Sequence, residues 1–78
     1  MLNSGNKVIG IKQSTRAVMD GIALLAYVAL DADDSVKQPF VDLCIRANVP
    51  INYVESMLEL GDACGIDVGA AVVVVVNN

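Results

Sequence analysis

The chain has 78 residues, 55% of them hydrophobic and 18% charged, which suits one small folded domain over residues 1–78 and excludes a disordered, charge-dominated chain. A domain of this size buries only about 60% of the surface its unfolded form exposes, so its core has to be efficient. With a formal net charge of −4 and no histidine, a strongly basic nucleic-acid module, a Ser-His or Cys-His nucleophile and an ordinary zinc site are all disfavoured.

The start of the chain carries Asn3, Ser4, Gly5, Asn6 and Lys7 where a secretory signal would have an apolar run. The longest apolar stretches, residues 22–30 and 70–76, fall short of the ~20 residues that a membrane-spanning helix needs. The expectation is a cytoplasmic protein that does not enter a membrane. Charge is unevenly spread. Lys7, Lys12 and Arg16 precede every carboxylate and give residues 1–19 a charge of +3, whereas Lys37 and Arg46 face nine carboxylates in the remainder, a charge of −7. A local basic patch on an acidic body follows.

Residues 7–10, with Val8 and Ile9, read as a short strand that Gly10 ends in a turn allowing close approach of the backbone. A helix is predicted from Gln13 to about Gly21, with Thr15, Val18, Met19 and Ile22 at the spacing of one face and Lys12, Arg16 and Asp20 on another. Lys12 and Arg16 stand at the amino end of that helix, where amide hydrogens and the dipole favour an anion. The Gln13 carboxamide beside them both donates and accepts, as a base edge requires. A solvated helix start with scattered charges explains the same pattern.

Residues 22–30 fit a strand covered on both faces, ended by Asp31. Asp31, Asp33 and Asp34 form an acidic turn, which suits helix capping better than a calcium loop, because the loop's glycine and closing glutamate are missing. The following helix places Phe40, Leu43, Cys44 and Ala47 on one face, widened by Val41 and Ile45, with Pro39 expected in its first turn. Asn48 and Pro50 end it. Residues 51–54 form a short strand, and Ser56 with Glu59 three residues on reads as a capping box for a third helix, closed by Gly65 in the left-handed conformation. The last strand takes residues 70–76, whose five successive valines belong in a covered, central position. Cys44 and Cys64 read as buried free thiols. The βαβαβαβ order implies an α/β fold, a three-layer α/β/α sandwich with a small four-stranded mixed sheet.

Between the third helix and the last strand, Gly65 and Gly69 flank Ile66 and Val68. Two branched apolar side chains in such a connection are either tucked under the sheet or offered to a flat partner, and the residues alone leave both open.

GIKQSTR at residues 10–16, DAD at 31–33, VPINYVES at 49–56 and ELGDACGIDVGAA at 59–71 occur in an order and spacing that resembles the L7Ae/L30e superfamily of kink-turn RNA-binding ribosomal proteins. The resemblance covers residues 7–76 and is greatest to the short bacterial ribosomal-protein-like members. It implies that Gly10, Lys12, Gln13 and Arg16 form the first RNA contact, with the Lys12–Gln13 pair on the guanines of tandem sheared G·A pairs and Arg16 on the backbone. It further implies that Ile66 and Val68 pack on a base turned out of the kink, in a loop shaped by Gly65 and Asp67. Such splayed bases are what RNA-binding proteins commonly read. Three residues depart from the family's pattern: Ile11 replaces threonine, Arg16 replaces lysine, and Asp62 replaces a lysine that often follows the Leu-Gly pair. Asp62 and Asp67 bring negative charge to the implied RNA face.

The implied protein is no enzyme, needs no cofactor or metal, grips kink-turn RNA, associates with ribosomes in one version of the reading, and is favoured as a monomer. With two or three phosphates neutralised by Lys7, Lys12 and Arg16, log affinity falls with log salt at a slope of roughly −2 to −3. The competing expectation is an acidic protein-interaction module on the same fold that no longer binds RNA, motivated by Asp62, Asp67 and the −7 body.

Overall fold

The structure, a computed structural model, describes residues 6–76; the reading of residues 3–5 lies outside this range. The chain forms β1 (Asn6–Ile9), α1 (Ile11–Met19), β2 (Ala23–Ala29), α2 (Asp34–Arg46), β3 (Ile51–Val54), α3 (Met57–Ala63) and β4 (Val72–Val76). The strands lie in one sheet in the order β1-β4-β2-β3, with β4 antiparallel to both neighbours and β2 parallel to β3. This is the mixed four-stranded sheet expected from the element order. The valine strand is central, as its composition demands.

Strand alternation divides the core in two. Val72, Val74 and Val76 meet Ala17 and Val18 of α1 and Phe40, Val41 and Cys44 of α2 on one face. Val73 meets Leu60 of α3 on the other, with Ile9, Tyr27 and Val54 around it. Three layers result. Each valine fully buried in this way contributes about 1.5–3 kcal/mol relative to an exposed one, so β4 is the principal apolar spine of the molecule.

All three helices end on the same device. In α1 the Gly21 amide donates to the Val18 carbonyl and the Ile22 amide to Ala17; Asn48 and Val49 repeat this on Ile45 and Cys44, and Gly65 and Ile66 on Asp62 and Gly61. These paired bonds are Schellman closures, with Gly21, Asn48 and Gly65 at positive φ.

Several expectations are corrected. Helix α1 begins at Ile11, two residues before Gln13, and it buries Ser14, Ala17 and Val18 while Met19 stays 71% exposed. Small side chains let α1 approach the valine strand closely, and the Ser14 hydroxyl donates to the Val8 carbonyl at 3.3 Å. Pro39 sits in the second turn of α2, not the first, because the helix begins at Asp34. Strand β2 is not covered throughout: Leu24 is 54% exposed at an irregularity between Ala23 and Leu25. Gly10 is needed for its φ of 103° rather than for close approach, since a Cβ there would meet nothing within 4 Å. Cys44 is buried, whereas Cys64 is only half-buried. Burial pushes both thiols up, and the Lys7 ammonium partly offsets this at Cys64.

Candidate nucleic-acid interface

Because β4 runs antiparallel to β1 and β2, its first residue lies beside their last ones. Ile9 pairs with Val73, Val28 pairs with Val72, and the Gly10 amide donates to the Val72 carbonyl at 3.1 Å. The Ala29 amide likewise donates to the Ala71 carbonyl at 2.9 Å. One end of the sheet therefore gathers the start of α1, the loop entering β4 and the acidic turn after β2. The loop lies between the other two.

On the first flank, Gly10 is the N-cap of α1 and brings no capping side chain, while its carbonyl accepts from the Ser14 amide at 3.0 Å. Amides of such a first turn have no partner within the helix and suit an anion. Lys12, Gln13 and Arg16 are exposed on this helix. The Arg16 guanidinium stands 4.0 Å from the Asp20 carboxylate, with both side chains largely in solvent, so the pair holds Arg16 only weakly. Lys7 is not part of this group. Its register partner is Val75, on the sheet face that carries Val73 and α3, and it acts electrostatically on Cys64.

In the loop, the apolar pair divides. Ile66 is half-buried against the core beneath α3, whereas Val68 is 67% exposed. Gly65 and Asp67 are exposed beside them. The loop is tied to α3 by the Ile66 amide on the Gly61 carbonyl at 3.1 Å and the Ala70 amide on the Met57 carbonyl at 3.0 Å. An open hollow of about 540 Å³ adjoins it, lined by Ser56, Leu58, Glu59, Asp62, Ile66 and Asp67. Leu58 is 70% exposed there; Asp62, four residues on along the same helix face, is the sequence signal that marks it as outward-facing.

The acidic turn has a role that its sequence neighbourhood hides. Asp33 is the N-cap of α2 yet makes no side-chain capping bond, while the Asp31 carboxylate accepts from the Met57 amide at 2.7 Å. Asp31 thus caps α3 rather than the adjacent helix. Ser56 caps α3 as expected, its hydroxyl accepting from the Glu59 amide at 3.0 Å. Lys37, whose side chain is only 17% exposed, donates to the Leu30 carbonyl and lies 3.6 Å from the Asp34 carboxylate. Among the described residues no group of three His, Cys, Asp or Glu is placed to hold a metal ion, and no helix is long and apolar enough to cross a membrane.

Comparison with known proteins accounts for this arrangement. The family described as ribosomal protein L7Ae/L30e/S12e/Gadd45 matches residues 1–78. An RNA-binding protein of Geobacillus sp. strain WCH70 is 45% identical over 77 residues, which cover 99% of this chain and 94% of the relative. The RNA-binding protein YbxF of Geobacillus stearothermophilus is 43% identical over the same shares. Among solved structures, a 15.5 kD RNA-binding protein of Giardia lamblia superposes with a TM-score of 0.85 at 26% identity; the match covers 92% of this chain but only 61% of that one. A protein of unknown function from Bacillus halodurans superposes with a TM-score of 0.83 at 27% identity, over 91% of this chain and 71% of that one. The family is one of non-catalytic proteins, in agreement with the expectation that this chain is not an enzyme. By the match over its whole length and by relatives of nearly equal size, the chain belongs to the ribosomal protein L7Ae/L30e/S12e/Gadd45 family.

Proposed function

We propose that this protein binds RNA and stabilises a kink-turn, holding it between the start of α1 and the loop of residues 65–69. The observation that carries this reading is the hydrogen bond from Gly10 to Val72, which ties the start of α1 to the strand that the loop enters, although the two lie more than fifty residues apart in the chain. Lys12 and Gln13 would meet the guanines of sheared pairs, Arg16 the backbone, and Val68 the face of a turned-out base, with Ile66 bracing the loop from beneath. Gly65 and Asp67 shape that loop. The RNA-binding names of the Geobacillus relatives support the same class of ligand. Association with the ribosome is an extension of this reading through the family's ribosomal members.

The test is a mobility-shift comparison between a duplex with a kink-turn and one whose sheared pairs are replaced by Watson–Crick pairs. Selective retention of the kinked RNA is expected. Equal retention of both, or of neither, contradicts the proposal.

A second reading has its own observation. Asp31, Asp33, Asp34 and Glu55 lie on the far flank of the loop, and Glu59, Asp62 and Asp67 line the hollow beside it, so most of this end of the molecule is acidic. An interaction module with a basic protein partner would use that flank, and failure to retain either RNA would favour it.

A further inference from the structure

Gly61 lies inside α3, is buried, and has no positive φ, so its backbone conformation does not call for glycine. Glycine in a helix interior is unfavourable relative to alanine. Its surroundings explain it. A Cβ at this position would stand 2.0 Å from the Val68 carbonyl oxygen, 3.0 Å from the Val68 carbonyl carbon and 3.2 Å from the Gly69 Cα. All three are backbone atoms, so no change of rotamer relieves the overlap. The loop also approaches α3 at Gly69, where a Cβ would lie 3.1 Å from the Met57 Cβ. Hydrogen bonds from Ile66 to Gly61 and from Ala70 to Met57 fasten the loop on either side of this contact.

We infer that Gly61 is a positioning residue for the binding loop: by letting the Val68 backbone rest directly on α3, it fixes the height and direction at which the Val68 side chain is presented to a turned-out base. For its ligand this inference rests on the proposed RNA reading. Gly61 itself touches no RNA. Its substitution acts through the loop that carries Val68, leaving Lys12, Gln13 and Arg16 where they are.

The experiment compares the parent with Gly61→Ala in two measurements. Amide hydrogen exchange at Ile66 and Ala70, with the thermal midpoint, reads the loop. Binding to a kinked duplex, with the turned-out nucleotide intact or abasic, reads the site. In the parent, loss of the base is expected to weaken binding on the order of tenfold, the scale of burying much of one valine side chain against an apolar surface. In Gly61→Ala the two RNAs are expected to bind alike, and both amides to exchange faster. Unchanged exchange with a raised midpoint, as helix propensity alone would give, overturns the inference. So does a variant that keeps the parent's dependence on the base. A parent that ignores kinked RNA overturns the RNA reading and the site role together, while the exchange rates still decide whether Gly61 holds the loop. Should Gly61→Ala fail to fold, Gly69→Ala displaces the same loop by less and is read in the same way.

Discussion

The carboxylate of Asp31 reaches a helix whose first residue lies 26 positions further along the chain, and its bond to the Met57 amide ties the turn after β2 to α3, on which the loop of residues 65–69 rests. Replacing it by alanine should lower the stability of the protein by about 1 kcal/mol, the usual worth of a helix cap. Chemical denaturation measures this, and no change would show the bond to be idle. Local pattern reads the acidic turn as helix capping without saying which helix Asp31 serves; only the fold brings Met57 to it. Ser56 and Glu59 were legible because their contact closes within three residues. On the RNA side, Gln13→Ala should relax discrimination between sheared and Watson–Crick pairs by about 1–3 kcal/mol, the worth of a good base-edge contact. Arg16→Glu should weaken all kinked RNAs alike. Competition binding with the two duplexes separates these outcomes, and parental behaviour in both variants would place the contact elsewhere.

At the scale of elements, the helix ends explain why boundaries after a glycine were readable and the start of α1 was not. Gly21, Asn48 and Gly65 each stand in the left-handed position of a Schellman closure, and Asn48 is the only one of the three with a side chain to strain at its φ of 60°. Asn48→Gly should therefore stabilise the protein by a few tenths to about 1 kcal/mol, seen as a raised thermal midpoint; a fall would mean that the Asn48 side chain contributes more than its backbone costs. Helix α1 starts on a glycine with no capping oxygen, so the sequence offers no Ser, Thr, Asp or Asn to mark it. Its buried stripe was misjudged for a related reason. Apolar spacing favoured Met19, but packing against a strand of valines selects the small Ser14 and Ala17. The valine strand itself was legible, since five such residues in succession tolerate no exposed edge.

For the whole molecule, the strand order sets how charge is displayed. The end of the sheet that gathers α1, the loop of residues 65–69 and the acidic turn is cationic on the β1 flank and anionic on the β2 and β3 flank, so a polyanion is expected to approach at α1. With Lys7 on the opposite face of the sheet from α1, Lys12 and Arg16 are the cations of that flank, and the salt slope of log affinity should be about −2 rather than −3. A titration at two salt concentrations reads it. The fold was legible from the order of the elements, and the family resemblance implied that residues 10–16 and 65–69 share one face. Periodicity alone does not bring them together, because the bond between Gly10 and Val72 depends on β4 running back between β1 and β2, which no local pattern encodes.

The most direct test of that meeting is to follow the backbone amide resonances while a kinked RNA duplex is added. Residues 10–16 and 65–69 are expected to shift together with one binding isotherm, while Gly21, Asn48 and Ala23 at the other end of the sheet stay still. Perturbation confined to one of the two segments, or centred on the far end, would contradict it.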